Sequence, residues 1–592
     1  MNPQFSTPGR FYTVVAVFLF SILLGRFAQL QIYQWEKYYR ESEKNRVRDV
    51  VIPPQRGMIF DRRGEVLVDN RPSYSVSVVP YEFVHGDSSG RKLLSSILGE
   101  PVPVLREKIR RGQVGNFTPV KIKRAVGFKT LSFLEEYRMD LPGVSISIDA
   151  KRTYPAGVKA PHLFGYLGEI TSDDLARLDR NEYRLGDQIG KNGLELQYER
   201  ELRGRSGVQY VEVDVLGREV RTLHELPEVQ PVPGQRLYLT IDANLQRLLE
   251  ASLAGKKGAA VVLNARTGGV LAMVSEPDYD PEIFSAPLTP EIWNKLVSDP
   301  DKPLYNRACQ SVYPPGSTFK LVLAAAGLET GRIDPDQTVF CAGSYRLGRR
   351  SFDCWKKGGH GEVDLLAAIE QSCNVYFYTR GLQVGLDAWA HFSRLFGFGQ
   401  RTGIDLPNES PGQVPDKRYL DEKYGEGGWT RGLLLNLSVG QGDLLVTPLQ
   451  MARFAMIIGN EGVAYKPHLV LKRENPATGE VVVTRLDSSR VPGISRQTFA
   501  LLKRGMYGVV NGEKGTGKAA RLRDIDVCGK TGTAQNPHGE SHAWFIGFAP
   551  MVHPEIAFCI LVENGGSGGA HAAPIAGRVL VEYFHRARVA KR

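Results

Sequence analysis

The distribution of apolar residues separates a short N-terminal segment from the rest of the chain. Residues Phe11 to Gly25 carry no charge, and after Arg26 the chain stays mostly apolar as far as Tyr33. At about 1.5 Å per residue, a helix of this length crosses a bilayer core of about 30 Å. A cleaved signal peptide is the alternative, but no small-residue cleavage site follows the apolar run. We therefore predict a retained membrane helix over residues 11–33.

After this segment the pattern becomes that of a globular α/β chain. Ala259 to Ser275 contains two strand-like apolar runs around a tight turn, and a further strand pair is expected near Asp526 to Ala549. Apolar helical stretches follow Gly316 and occupy Leu365 to Ile369. The stretch Glu225 to Gly234 contains several prolines and marks a domain boundary. The predicted organisation is a cytoplasmic tail over residues 1–10, the membrane helix over 11–33, a membrane-proximal domain over 34–236 and a large α/β domain over 237–592.

Composition narrows the class of protein. The 592 residues are 42% hydrophobic and 23% charged, which excludes a disordered chain and a fibrous repeat. Six cysteines are too few for a disulfide scaffold, and the net charge of +11 indicates an anionic partner. Residues 106–129 hold eight Lys or Arg against one Glu. This stretch is either a solvated face or a contact with anionic lipid or polymer. Nucleic acid is not expected, because no aromatic-interleaved or helix-turn-helix pattern accompanies it.

The strongest chemical signal is the segment Tyr313 to Lys320, YPPGSTFK. Two prolines and a glycine precede Ser317 and predict a sharp entry into a helix that carries Ser317 and Lys320 on one face. The helix continues almost wholly apolar, so we expect Lys320 to be buried, and burial disfavours the ammonium form. A neutral amine beside a serine can remove its proton. A Ser-x-x-Lys motif also arises by chance in a chain of this length, so it needs further support.

Two further motifs follow in order. Ser372-Cys373-Asn374 lies 55 residues after Ser317, and Lys530-Thr531-Gly532-Thr533 lies 158 residues beyond Ser372. The first offers a hydroxyl that can relay a proton and an amide that can hold a substrate. The second offers a cation and hydroxyls for a carboxylate, with Gly532 permitting close approach to the backbone. N–H groups of this strand edge and of Ser317 would form an oxyanion hole. Three such motifs in one order argue against coincidence.

These motifs resemble those of the penicillin-recognising acyltransferases, and more narrowly of the class B penicillin-binding proteins. The resemblance extends beyond the motifs. Arg56–Gly64, Arg152–Pro155 and Gly190–Glu195 look like the family's membrane-proximal region, and Gly440–Gly442 resembles a transpeptidase-domain signature. It implies an α/β transpeptidase domain with an antiparallel sheet flanked by helices. An elongated α+β membrane-proximal domain and one transmembrane helix would precede that domain.

The resemblance also implies a role for each matching residue. Ser317 would attack the penultimate D-Ala carbonyl of a peptidoglycan stem peptide, with Lys320 as the base. Ser372 would relay the proton to the departing D-Ala, and Asn374 would hold the acyl chain. The terminal carboxylate would be bound by the last motif, Lys530, Thr531, Gly532 and Thr533. The chemistry would need no cofactor, and β-lactams would inhibit the enzyme by acylating the same serine.

Phe352–Trp355 with Gly359–Gly361 is similar to the penicillin-binding protein 2 type, which crosslinks the lateral wall during elongation. A division-type transpeptidase, a β-lactam sensor and a D,D-carboxypeptidase are the alternatives. The implied partners are stem peptides, β-lactams and a polytopic SEDS-family glycosyltransferase of the rod-shape system. The substrate implies a single-pass protein of the bacterial inner membrane with most of the chain in the periplasm. A literal positive-inside count gives the opposite orientation, because Lys and Arg after the helix outnumber Arg10 before it.

Cys341, Cys354, His360 and Cys373 fall within 33 residues. Three cysteines and a histidine are a standard ligand set for structural zinc, although these spacings match no zinc finger. Because Ser372 and Asn374 are both expected to face the cleft, Cys373 should point toward the body of the domain. Structural zinc, a Cys341–Cys354 disulfide and buried thiols without special chemistry remain three open interpretations.

Overall fold

The computed structural model describes residues 8–38, 47–113, 115–141, 143–179, 182–183, 186–213, 219–285, 288–537 and 539–589. Residues 1–7 of the predicted cytoplasmic tail lie outside this part of the chain. The chain divides into two compact units. The first contains residues 1–55, 74–148 and 204–233, and the second contains residues 56–73, 149–203 and 234–592.

The first unit begins with the predicted membrane helix. Pro8–Ala28 is α-helical and continues into a π-helical turn, Gln29–Tyr33. Among the described helices, the segment Phe11–Tyr33 is the one that is long and apolar enough to span a membrane, with 23 residues and a mean hydropathy of 2.0. None of its residues is buried against the rest of the chain.

The remainder of the first unit is an α+β structure. Val47–Ile52 pairs antiparallel with Gly207–Val213, which in turn pairs with Glu219–Thr222. In a separate sheet, residues 74–78 of the strand Val66–Val78 pair with Val120–Val126. Val76, Val78, Leu94, Leu105 and Ile122 belong to the core of this part. Further helices described in this unit are Pro80–His85, Ser88–Leu98, Val102–Gly112, Phe128–Glu136 and the 3₁₀-helix Arg138–Asp140.

Segments 56–73 and 149–203 belong to the second unit, although the sequence groups them with the membrane-proximal region. A buried ionic network joins these two segments to each other. Arg56 Nε and Arg152 Nε donate to the two carboxylate oxygens of Glu195 at 2.7 and 2.8 Å, and Arg56 also binds Glu199 at 2.6 Å. Burial alone would raise the pKa of Glu195, but the guanidinium groups of Arg152 and Arg56 hold it below its usual value.

The strands of residues 234–592 are numbered in chain order. They are β1 Arg236–Leu239, β2 Gly258–Asn264, β3 Val270–Glu276, β4 Val339–Cys341, β5 Ser344–Leu347, β6 Arg350–Asp353, β7 Gly361–Val363, β8 Val463–Tyr465, β9 Val470–Glu474, β10 Val481–Val483, β11 Ser488–Arg490, β12 Cys528–Ala534, β13 His542–Ala549 and β14 Ile556–Val562. Short strands Ile59–Phe60, Leu167–Glu169 and Gln188–Gly190 precede them in the second unit.

The α-helices of the same residues are also numbered in chain order. They are α1 Ala243–Leu253, α2 Pro290–Ser298, α3 Lys320–Glu329, α4 Leu365–Glu370, α5 Asn374–Val384, α6 Leu386–Leu395, α7 Lys417–Tyr424, α8 Arg431–Ser438, α9 Pro448–Gly459, α10 Arg496–Asn511, α11 Gly568–His571 and α12 Ala573–Val589. Shorter helices of the second unit are Pro161–Phe164, Ser172–Leu175, Gly193–Gln197 and Glu199–Arg203.

The central sheet has five antiparallel strands in the order β3-β2-β14-β13-β12. Helices cover both faces, and this explains why β2, β3, β13 and β14 are mostly apolar without alternation. Along β2, Ala259, Val261 and Leu263 enter one core cluster while Ala260 and Val262 enter the other. The first cluster contains residues of α3 and α9, and the second contains residues of α1 and α12. The predicted antiparallel sheet flanked by helices is confirmed.

Candidate active site

Ser317 lies at the entry to α3, and close backbone packing determines its position. Gly316–Phe319 forms a 3₁₀ turn that continues into α3 at Lys320, so Ser317 and Lys320 lie at the start of one helical segment, as the sequence predicts. Gly316 has a φ of +57°, and its N–H donates to the carbonyl of Gly440 at 2.8 Å. A side chain at position 316 would lie 2.9 Å from the carbonyl oxygen of Thr533 on β12. Glycine at position 316 therefore lets the turn that carries Ser317 fit between Gly440 and β12.

Lys320 is completely buried, as its apolar helix predicts. Its amine donates to the carbonyl oxygen of Ser372 at 2.8 Å, to Ser372 Oγ at 3.2 Å and to Asn374 Oδ1 at 2.6 Å. Burial lowers the pKa of Lys320 to about 8, because the ammonium form loses its hydration. The neutral amine is therefore more abundant near neutral pH than for an exposed lysine, and its share rises with pH.

Ser372 and Asn374 lie at the junction of α4 and α5. Ser372 is buried and has a φ of +55°, a left-handed conformation that is unusual for a residue with a side chain. Such backbone strain concentrates at functional sites, where the surrounding structure enforces it. Asn374 begins α5, and its Nδ2 donates to the carbonyl of Asp353 at 3.2 Å while its Oδ1 accepts from Lys320.

Lys530 reaches the same serine from the central sheet. It is fully buried on β12, and its amine donates to Ser372 Oγ at 2.9 Å and to the carbonyl of Thr531 at 2.9 Å. Burial, and secondarily the charge of Lys320, hold the pKa of Lys530 well below its usual value. Ser372 Oγ thus receives a hydrogen bond from each lysine, and the three predicted motifs meet at this hydroxyl. Among the described residues, the Ser317 hydroxyl has no hydrogen-bond partner.

The threonines of the last motif lie on an edge strand. Within the described residues, β12 ends the sheet, so its outer side has no neighbouring strand. Thr533 is exposed, and its carbonyl accepts a long hydrogen bond from Gln441 Nε2 at 3.4 Å. Gly532 is required by packing, because a side chain there would lie 2.9 Å from the carbonyl oxygen of Pro315. Close packing under the serine-bearing turn therefore adds a second reason for the glycine.

The sequence did not point to Thr516. Its hydroxyl forms a 2.7 Å hydrogen bond with the hydroxyl of Thr531, which is itself buried. Thr516 lies in the glycine-rich stretch Gly512–Gly517, between α10 and β12. That stretch is a turn signal close to the Lys-Thr-Gly-Thr motif, and it is the one feature of the sequence that could have drawn attention to Thr516.

The four predicted metal-ligating residues are together. One ligand atom from each of Cys341, Cys354, His360 and Cys373 lies within 4.8 Å of the others, and the three cysteines are buried free thiols. His360 Nδ1 is 3.5 Å from both Cys341 Sγ and Cys354 Sγ. The backbone N–H of Asn374 donates to Cys354 Sγ at 3.4 Å. The cluster therefore directly adjoins the residue that binds Lys320.

Two family models match the chain. The penicillin-binding protein dimerisation domain matches residues 51–239, and the penicillin binding protein transpeptidase domain matches residues 258–581. The fold and the grouped serine, lysine and threonine side chains define a serine acyltransferase of the penicillin-recognising class.

Relatives refine this assignment. The peptidoglycan D,D-transpeptidase MrdA of Haemophilus influenzae is 34% identical over 595 residues, which cover 96% of this chain and 90% of that protein. The penicillin-binding protein 2 (PBP2) of Helicobacter pylori, solved in complex with MreC, has a TM-score of 0.78 at 29% identity and covers 90% of this chain and 99% of its own. A chain of a peptidoglycan synthase complex, solved to describe how polymerization and crosslinking are coordinated, has a TM-score of 0.71 at 30% identity and covers 98% of both chains.

The chain belongs to the penicillin-binding proteins, and within them to the MrdA or PBP2 type of peptidoglycan D,D-transpeptidase. The resemblance to the class B proteins, and to their elongation type rather than the division type, is thereby confirmed.

Proposed function

We propose that Ser317 is the nucleophile of this transpeptidase and that Lys320 is its base. Neutral Lys320 takes the hydroxyl proton as Ser317 Oγ bonds to the carbonyl carbon of the penultimate D-Ala. The carbon–nitrogen bond to the terminal D-Ala then breaks, and the departing amine receives a proton through Ser372. An amine of a second stem peptide attacks the resulting ester and loses a proton to Lys320, which is neutral again, and the departing Ser317 oxygen takes up that proton. The shared hydrogen bonds of Lys320 and Lys530 to Ser372 Oγ carry this proposal.

Lys530, Thr531 and Thr533 bind the carboxylate of the terminal D-Ala in this scheme. Lysine supplies the opposite charge, and the threonines supply hydroxyl donors from one strand. Backbone N–H groups of β12 and of Ser317 stabilise the oxyanion that forms at the carbonyl oxygen. Asn374 orients both the acyl chain and the Lys320 amine, to which its Oδ1 is hydrogen-bonded at 2.6 Å.

Labelling with a fluorescent penicillin followed by peptide mapping tests the nucleophile. We expect stable label on the peptide that contains Ser317 and none in Ser317→Ala. Ser393→Ala is a matched control, because Ser393 is a buried serine of the same domain whose hydroxyl donates to the Trp389 carbonyl. Label retained in Ser317→Ala would refute the assignment. A product assay with crosslinkable glycan strands then separates transfer from hydrolysis.

We also propose that Cys341, Cys354, His360 and Cys373 hold a structural zinc ion. Tetrahedral zinc with Zn–S of about 2.3 Å and Zn–N of about 2.0 Å requires ligand atoms roughly 3.5–3.8 Å apart. The 3.5 Å distances from His360 Nδ1 to two sulfur atoms fit this requirement. When bound, the ion would crosslink β4, the end of the β5–β6 hairpin and the Ser372–Asn374 turn.

Elemental analysis of the purified protein tests the zinc site. We expect about one zinc ion per chain, lost in Cys354→Ser and retained in Cys559→Ser, which alters a buried cysteine of β14 outside the cluster. Protein without zinc, in which all the cluster thiols react after unfolding, would refute both the metal and a disulfide.

The helix Phe11–Tyr33 anchors the protein in the inner membrane in this proposal, with residues after 33 in the periplasm. Its length and hydropathy support the span, and the extracytoplasmic location of peptidoglycan supports the orientation. A C-terminal alkaline phosphatase fusion should be active, and a C-terminal fusion that fluoresces only in the cytoplasm should be dark. The opposite result would reverse the orientation.

A SEDS-family polytopic glycosyltransferase is the proposed partner. The related chain of a peptidoglycan synthase complex, in which polymerization and crosslinking are coordinated, supports this choice. We expect the glycosyltransferase to co-purify in detergent with the full chain at equal stoichiometry. Ser317→Ala should co-purify equally well, because the nucleophile plays no part in assembly. Absence of the glycosyltransferase from the purified full chain would refute the partnership.

A further inference from the structure

Tyr313, four residues before the proposed nucleophile, is held by a partly buried carboxylate. Its hydroxyl donates to Glu563 Oε1 at 2.6 Å, and Arg307 Nε donates to the same oxygen at 2.9 Å. Tyr313 and Arg307 are buried, and Glu563 directly follows β14. Burial, and then the charge of Glu563, raise the pKa of Tyr313 far above its usual value, so the phenol stays a hydrogen-bond donor.

The partners of Tyr313 are themselves fixed. Both terminal nitrogens of Arg307 donate to backbone carbonyls, those of Lys302 and Asp301, and the backbone N–H of Arg307 donates to Ser275 Oγ at 2.9 Å. The backbone N–H of Glu563 donates to the carbonyl of Lys257 at 2.7 Å. The carboxylate is therefore a rigid anchor, and its Oε1 satisfies two buried donors at once.

The backbone between Tyr313 and Ser317 is also fixed by hydrogen bonds. Tyr313 exchanges two hydrogen bonds of 2.9 Å with Val446, and Trp544 Nε1 donates to the carbonyl of Pro314 at 3.1 Å. Two prolines with fixed φ then lead to Gly316, whose N–H is bound by Gly440. The Tyr313 ring is also packed edge-on against Trp544 and His542 of β13. A shift of the Tyr313 side chain would therefore move the turn that carries Ser317.

We propose that Tyr313 and Glu563 are positioning residues for acylation. Neither needs to touch the substrate. They set the place of Ser317 Oγ relative to Lys320 and the carboxylate-binding strand. A displacement of about 1 Å in a reacting group costs up to roughly a hundredfold in rate, whereas ground-state binding is less sensitive. This inference rests on the proposed role of Ser317 and adds to it the reason why the serine is held ready in the resting enzyme.

The test separates non-covalent affinity from the first-order acylation rate in rapid-mixing experiments with a fluorescent penicillin. We expect Tyr313→Phe and Glu563→Ala each to lower the acylation rate about tenfold or more, with Kd changed less than about twofold. Glu563→Gln should keep most of the rate, because its amide oxygen still accepts both hydrogen bonds. The double variant Tyr313→Phe with Glu563→Ala should be no slower than the slower single variant, because both changes break the same hydrogen bond between Tyr313 and Glu563.

Tyr238→Phe is the matched control. Its hydroxyl donates to Glu474 Oε2 at 2.9 Å between β1 and β9, away from all three motifs, so this variant loses the same kind of hydrogen bond. We expect wild-type acylation in Tyr238→Phe. Wild-type acylation in Tyr313→Phe, additive losses in the double variant or an equal loss in Tyr238→Phe would overturn the inference. If Glu563→Ala does not fold, Tyr313→Phe and Glu563→Gln decide the question.

Ser317→Ala, measured in parallel, distinguishes a wrong nucleophile from a wrong positioning role. Acylation that persists in Ser317→Ala would refute the nucleophile and with it the positioning role. Acylation abolished in Ser317→Ala but undiminished in Tyr313→Phe would refute the positioning role alone.

Discussion

Gly316 and Gly440 lie backbone against backbone, with the N–H of Gly316 2.8 Å from the carbonyl oxygen of Gly440. A side chain on residue 440 would come within 2.0 Å of the Gly316 carbonyl oxygen, which cannot be accommodated without moving the serine-bearing turn. Two loops that are far apart in the sequence thus meet at a distance that only glycine allows.

We predict that Gly440→Ala lowers the rate of penicillin acylation by at least about tenfold, because the turn that carries Ser317 must shift. Gly425→Ala is the control for backbone strain. Gly425 has a φ of +83°, close to the +72° of Gly440, but nothing lies within 4 Å of its missing side chain. The measurement is the acylation rate of folded protein. Equal losses in the two variants would show that backbone strain, and not the contact with Gly316, is the cause.

The acylation rate should depend on the protonation of Lys320. Because burial lowers the pKa of this lysine to about 8 from 10.5, the neutral base becomes more abundant as pH rises toward 8. We expect the first-order rate to rise from about pH 6, to reach half its maximum near pH 8 and to level off above about pH 9. In Lys320→Arg the side chain keeps its positive charge at every pH, so we expect no acylation of Ser317 in this variant. A rate independent of pH would contradict Lys320 as the base.

Thr516→Val should weaken the non-covalent binding of penicillin roughly threefold to tenfold, the effect of about 1 kcal/mol for one hydrogen bond. The substitution leaves the Thr531 hydroxyl without its 2.7 Å hydrogen-bond partner. The hydroxyl can then rotate away from the carboxylate of the bound penicillin. Thr330→Val, which removes a hydroxyl that donates to the Ala326 carbonyl, is the control. An unchanged Kd in Thr516→Val would show that Thr531 is oriented by other contacts.

Glu195→Gln should destabilise the second unit by about 3–5 kcal/mol, because it removes the counter-charge of the buried Arg152 guanidinium and one of the two carboxylates that pair with Arg56. Thermal unfolding measures the effect. Glu107→Gln, at an exposed pair with Arg110 and Arg111, should leave Tm unchanged. Since the folded pKa of Glu195 lies below its unfolded value of 4.5, the stabilisation is full above pH 4.5 and is lost as pH falls further. A Tm of Glu195→Gln equal to wild type would contradict a stabilising network.

Local pattern was enough to predict much of the site. The apolar run after Ser317 predicted a buried Lys320, and the order of three motifs predicted which residues meet it, because each motif lies on its own helix end or strand. The 3₁₀ geometry of Gly316–Phe319 was not predictable, because periodicity over so short a turn does not distinguish a 3₁₀-helix from an α-helix.

Long-range contacts were not predictable. Glu563 is 250 residues from Tyr313, and a single carboxylate after an apolar strand resembles any other surface residue in the sequence. Segments 56–73 and 149–203 are likewise joined to each other by Arg56 and Glu195, which are 139 residues apart. A single sequence does not show which carboxylate pairs with Tyr313 or with Arg56, because these residues become neighbours only in the folded chain.

The open side of β12 has a further consequence. Exposed strand edges invite unwanted pairing with other chains, and most proteins blunt them. Here Gln441 Nε2 donates to the carbonyl of Thr533 at 3.4 Å, and no described strand pairs with this edge. An extended stem peptide that pairs with β12 would act as a sixth strand, so that each turnover completes the sheet and opens it again. The enzyme would then recognise its substrate partly through the backbone hydrogen bonds that a neighbouring strand would otherwise make with β12.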